Sequence, residues 1–353
     1  MTGLFLRLPP VVADAGFVLC GRFRFRGTNP TTIGLYPLVD RVCESGLVHQ
    51  NRIEIIVIDI LWALVPSILF GLQTTITGAV KTTDQQRVLG LTMGGFIFAL
   101  AVTPFLGVQW NVRDVIVAFV TGLIVGWGLV DQVAAFNVLG VSRTMPVSKG
   151  GQLAAISLGG VLLFGEWRHG GALPVGATAI IVLILGIWFV SRTEEGSDTK
   201  NLDWARGTRL LMTSTFAFSS YVLIGRAFGL DGPSILLPQA TGYFLVALIA
   251  YAVDARRKGD EAPKLVSLPM AQMTALGLMW GAAVVLLQVG AGRVGVATGF
   301  TLSQLGILIS TPLGILWLGE RRAGRELRWT VIGVALVIVG AVLAGVAKGL
   351  DAV

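Results

Sequence analysis

The sequence predicts an all-α, polytopic membrane protein of ten transmembrane helices, arranged as a 5+5 inverted repeat. Three observations carry that prediction. The first is composition: hydrophobic residues make up 54% of the 353, charged residues 13%, and the mean hydropathy is +0.77, more apolar surface than a soluble core of this size can bury. The second is ten apolar runs of spanning length, without the alternating pattern of a membrane β-barrel. The third is a motif that occurs twice, "LFGEW" at 163–167 and "WLGER" at 317–321, with Glu166 and Glu320 separated by 154 positions.

The runs lie near 60–79, 88–108, 115–136, 148–165, 173–190, 209–228, 235–253, 270–289, 296–318 and 329–347. Each meets the roughly 20 apolar residues that a helix needs to cross the hydrocarbon, and the 46 glycines suit close helix contacts. Met145-Pro146 marks a break or the start of the fourth helix, because proline in a first turn loses no required donor. Lys149 then falls in that first turn, from which its stem can snorkel to the cytoplasm.

Loop charges set the orientation. The loops after runs one, three, five, seven and nine carry sixteen Lys and Arg, Arg87 and Arg143 among them, and the opposite face carries five. The positive-inside rule puts the odd loops in the cytoplasm and both ends of the ten-helix core outside. Six further arginines, at 7, 22, 24, 26, 41 and 52, contradict that bias. Residues 1–57 are therefore expected to be a disordered extension or to lie outside the native start, with translation beginning near Ile58. The two cysteines, Cys20 and Cys43, have no metal-ligand spacing, and His49 and His169 read as loop residues.

The repeat extends beyond Gly-Glu. "GVSRTMPVSKGGQLAAISLGGVLLFGEW" at 140–167 aligns with "GVATGFTLSQLGILISTPLGILWLGER" at 295–321, Ser148 meeting Ser303, and Trp127-Gly128 answers Trp280-Gly281. A period of about 154 residues is five helices, so the second half enters the membrane from the opposite side, as in many secondary transporters. The halves are 58–200 and 201–353. With "ALVPSILFG" at 63–71, these stretches make the chain resemble the glucose/ribose porter family of the drug/metabolite transporter superfamily, over about residues 58 to 347. The resemblance implies sugar uptake across the cytoplasmic membrane, proton coupling, and a native start near Ile58.

Sugars need planar hydrogen-bonding groups for adjacent hydroxyls and an aromatic face for the apolar side of the ring. Gln132, Gln152, Gln239, Gln288 and Gln304 supply amides in or beside apolar runs, and Trp127 and Trp280 supply faces. Ser148 with Gln152, Gln239 with Tyr243, and Ser303 with Ser310 are spaced to share helix faces. The other reading of each is packing: glutamines bond between helices and serines bond back to a carbonyl one turn earlier. Asp131, the carboxylate deep inside a run, reads as proton carrier or hydroxyl acceptor, or as the partner of a buried arginine. Glu166 and Glu320 mark symmetry-related helix ends and read as structural latches paired to bases such as Arg168 or Arg321 or to backbone donors in the turn, with gating as the alternative.

The leading function is a secondary transporter of a small neutral polar solute, a monosaccharide of glucose or ribose type. A metabolite exporter on the same fold is the alternative within the class, and a non-transporting scaffold the alternative outside it. No H-E-x-x-H, G-x-S-x-G or phosphate-cradling motif is present, so neither an enzyme nor a cofactor or metal is expected. Expected partners are the sugar and the lipid bilayer, not nucleic acid; homodimerisation is left open.

Overall fold

The computed structural model describes residues 62, 64–192, 203–230, 233–259, 262–294, 302–319 and 324–351. The expected extension 1–57 and Glu320 lie outside the described residues. The described part is helical and contains no strand. In chain order the helices are α1 (Leu64–Ala79), α2 (Asp84–Val102), α3 (Val112–Leu139), α4 (Val141–Phe164) and α5 (Ala172–Ser191). They continue with α6 (Trp204–Ala227), α7 (Leu236–Lys258), α8 (Leu268–Val294), α9 (Ile307–Leu316) and α10 (Gly324–Asp351).

Seven of these are long and apolar enough to cross a membrane: α2, α3, α4, α5, α7, α8 and α10. The chain is a multi-pass membrane protein. α1 and α9 are apolar but short, and α9 is entered through a 3-10 turn at Gln304–Gly306. α6 has the length, but Arg206, Arg209 and a series of hydroxyls from Thr208 to Ser220 dilute its apolar character.

Local signals set the helix ends. Thr83 caps α2 by accepting from the Gln86 N–H (3.3 Å), Asn111 caps α3 by accepting from the Arg113 N–H (3.0 Å), and Asp203 caps α6 by accepting from the Arg206 N–H (2.9 Å). α4 closes at Gly165, whose φ of +64° is a left-handed conformation that costs glycine little. Gly319 follows α9 with φ +69°. The glycine of each Gly-Glu pair is thus a helix stop.

α4 begins at Val141, about seven residues before the run the sequence predicts. Three expectations are corrected by this. Pro146 lies inside the helix rather than in its first turn; Arg143 is a helical residue rather than a loop charge; and Lys149 sits in the third turn. Hydropathy missed the first two turns because Ser142, Arg143 and Thr144 make them polar, yet all three are buried.

The most extensive packing joins α5 to α10, α2 to α8, α3 to α7 and α3 to α6. Glycines permit three of these crossings. A Cβ on Gly94 of α2 would lie 2.7 Å from Cα of Gly277 on α8, and one on Gly242 of α7 would lie 2.8 Å from the Gly122 carbonyl carbon on α3. On Gly186 of α5 it would meet the Gly333 carbonyl of α10 at 2.9 Å. These backbones touch, as small residues allow where apolar burial between helices gives little drive.

Candidate functional site

Three of the predicted residues meet. Gln132 of α3 donates through Nε2 to Ser148 Oγ of α4 (2.7 Å), and Gln152 of α4 donates to the same oxygen (2.9 Å). All three side chains are buried. Ser148 accepts twice, so its own O–H remains to donate, while both amides keep carbonyl oxygens as acceptors. This chain of planar amides and a hydroxyl can exchange its internal bonds for bonds to adjacent solute hydroxyls, each a donor and an acceptor.

The α9 segment adds acceptors. Gln304, in the 3-10 turn, has its Oε1 buried without a hydrogen-bond partner, as have Ser310 Oγ and Thr311 Oγ1. Such atoms are costly unless something binds them. Ser303 is buried just before the turn. The shared face predicted for Ser303 and Ser310 assumed one α-helix, and the 3-10 turn between them changes that register. α9 packs against α4, where Gly314 stands against Ser142.

The remaining predicted residues lie in other surroundings. Gln239 of α7 donates to Thr121 Oγ1 of α3 (3.3 Å). Trp280 of α8 packs edge-on to Tyr243 of α7, ring centroids 5.0 Å apart. Trp127 is 47% exposed. Asp131 is bonded by the Thr213 hydroxyl of α6, whereas its neighbour Gln132 reaches α4, because adjacent helical residues point about 100° apart. Trp127 and Asp131, four apart, share their own side of α3. Gln288 falls within α8, its side chain outside the described set.

Glu166 pairs with Arg226 at the end of α6, not with Arg168 as expected. Arg226 also lies over the Phe164 ring at 4.8 Å. Around it the turn is fastened twice more. Asp351, ending α10, accepts from the N–H of Trp167 (2.7 Å) and of His169 (3.0 Å). The Trp167 indole is buried among Ala172, Val175 and Ala347.

Two buried ion pairs were not legible in the sequence. Arg143 of α4 pairs with Glu326 of α10, side chains 6% and 1% exposed. Arg87 pairs with Asp84 (3.4 Å) and donates to Asn137 Oδ1 of α3 (3.1 Å) and the Val80 carbonyl (2.8 Å). Both arginines read as cytoplasmic loop charges, and Glu326 carried no expectation. The available signal for Arg143 was its place in "SRTMP", where serine, threonine and proline frame a single cation.

A helical multi-pass bundle with a neutral hydrogen-bonding cluster between its helices defines a membrane protein of the solute-carrier class. The chain belongs to the sugar transport protein family, whose profile matches residues 61–347. It is similar to a Listeria monocytogenes protein named for sugar uptake, 33% identical over 290 residues that cover 82% of this chain and 99% of that protein. It is also similar to a Bacillus cereus protein named for glucose uptake, 34% identical over 294 residues, 82% of this chain and 99% of that one. A solved crystal structure shares the fold at a TM-score of 0.55 and 15% identity, over 81% of this chain and 97% of that chain.

Proposed function

We propose that this protein takes up a monosaccharide across the cytoplasmic membrane by alternating access of two inverted halves, 58–200 and 201–353. The observation that carries the reading is the buried Gln132–Ser148–Gln152 chain, built of the groups that recognise hydroxyls and joining α3 to α4 in a sugar transport family member. The acceptors of Gln304, Ser310 and Thr311 are the contribution of the second half.

Three features support the ten-span inverted repeat. Gly165 and Gly319, 154 positions apart, both adopt positive φ after helices. The α2–α8 and α3–α7 crossings are exchanged by pairing α2 with α7 and α3 with α8, and each is a glycine-on-glycine contact. The fourth and ninth segments of the repeat, α4 and α9, pack on each other. In this arrangement α4 runs outward, the odd loops are cytoplasmic, and Glu166 with Arg226 latches the outer end.

Counterflow of radiolabelled glucose and ribose in proteoliposomes tests the reading. Saturable exchange of one of them is expected; exchange of neither, nor of any sugar in a panel, would leave a scaffold as the better account.

A further inference from the structure

Three arginines of the helices are matched by carboxylates. Arg87 has Asp84, Arg143 has Glu326, and Arg226 has Glu166. Asp131 has only the Thr213 hydroxyl, and Lys149 has less: it makes no hydrogen bond and no ion pair with any described residue. It lies eight residues beyond the start of α4, roughly 12 Å at 1.5 Å per residue, too deep for its stem to return to that helix end. It is half-buried.

Its place on α4 is fixed by its neighbours. Met145, one turn earlier, packs into the cluster of Val88, Val133, Phe136 and Tyr251 from α2, α3 and α7. Gln152, three residues later, bonds to Ser148. Residues 145, 149 and 152 share a helix face, so Lys149 lies between a residue turned to the core and a residue of the amide–serine chain. The other sides of α4 are occupied. Gly150 faces Ile187 of α5 and Val337 of α10, and Gly151 faces Thr215 of α6.

The repeat makes the position more pointed. Ser148-Lys149 aligns with Ser303-Gln304. Gln304 is the amide whose Oε1 is buried without a partner. At equivalent positions the second half therefore offers a neutral group and the first half an ammonium. An ammonium with no counter-charge among the described residues is costly within a membrane and points to a functional site, one to which a ligand can bring the counter-charge.

We propose that Lys149 makes this a site for a monosaccharide carrying one carboxylate, a uronate or aldonate, with the ammonium receiving the carboxylate and the Gln132–Ser148–Gln152 chain receiving hydroxyls. The proposal rests on the sugar reading above and narrows it. One ammonium matches one negative charge. A phosphoryl group carries about −1.5 to −2 near neutral pH and would need a further cation, and the buried arginines already hold carboxylates.

The test uses the full chain in proteoliposomes, with labelled glucose exchange competed by D-glucuronate, D-gluconate, D-glucose and glucose 6-phosphate. In the wild type, glucuronate or gluconate is expected to compete at about tenfold lower concentration than glucose, the size of a charge-assisted hydrogen bond. K149Q should reduce that preference by about tenfold, and K149R should restore most of it. Thermal stabilisation by each compound supplies a second measurement should K149Q exchange too slowly to score. A wild type that prefers neutral glucose overturns the proposal while leaving the sugar reading intact. So does a K149Q chain whose preference is unchanged, or a lysine-dependent preference for glucose 6-phosphate. Absence of labelled-glucose exchange together with no stabilisation by any of the four compounds would instead remove the sugar reading itself.

Discussion

At the scale of single residues, a binding role and a structural role give different mutant behaviour. If Gln132 and Gln304 bond the same sugar, Q132A and Q304A each remove contacts worth about 0.5–1.5 kcal/mol and weaken binding severalfold to about tenfold. Counterflow at saturating sugar should persist, and a collapse of maximal exchange would mark them as packing residues. D131N keeps the shape and removes the titratable group. If Asp131 carries a coupling proton, accumulation driven by a pH gradient vanishes in D131N while exchange continues; unchanged accumulation would dismiss it as the carrier. Its bond to Thr213, on a different side of α3 from Gln132, makes this the more exacting test. The Arg143–Glu326 pair behaves differently again. E326Q leaves the arginine buried without its counter-charge, a loss of about 3–5 kcal/mol, and should lower the unfolding temperature in detergent far more than the apolar double variant R143M/E326M. Equal losses would show that the pair as such is needed. The amides and Ser148 were legible in the sequence because polar groups stand out in apolar runs. The ion pair was not, because its members are separated by 183 positions and Arg143 reads as an ordinary loop charge.

At the scale of helices, hydropathy located the seven helices long and apolar enough to span but misjudged where α4 starts, because burial of Ser142, Arg143 and Thr144 by other helices is a tertiary fact. The same limit applies to glycine. Its frequency foretold close helix contacts, but only the fold distinguishes Gly277, against the Leu91 carbonyl and Gly94, from Gly225, which has open space where a Cβ would go. Gly277→Val must push the α2–α8 crossing apart and should cost about 1–3 kcal/mol as overpacking. Gly225→Ala, near the end of α6, should be neutral or slightly stabilising, since alanine is the better helix former. Thermal unfolding of the two variants side by side checks this, and equal melting would mean that the crossing yields more easily than backbone contact implies.

At the scale of the whole molecule, the Gly-Glu echo and the odd number of helices in its period led to the inverted repeat, and loop charges led to its orientation. Removing Arg87 and Arg143 leaves the bias in place, because Arg192 and Lys200 follow the fifth helix, Arg206 and Arg209 sit in the first turns of α6, Arg256, Arg257 and Lys258 form the last turn of α7, and Lys264 follows it. The rule counts Lys and Arg near helix ends irrespective of carboxylates, so Asp254, paired with Lys258 at 2.8 Å, does not cancel it. A cysteine in place of exposed Lys258, at the end of α7, should therefore react with an impermeant thiol reagent only from the cytoplasmic side. One in place of exposed His169, between α4 and α5, should react only from outside. The background is set by first replacing Cys20 and Cys43, which are the cysteines of the chain. Both tags reacting from the same face would require an even number of crossings between them; with α5, α6 and α7 intervening, that would mean one of these helices does not span. The suspect would then be α6, the most polar of the three, and with it would go the inverted relation of the halves.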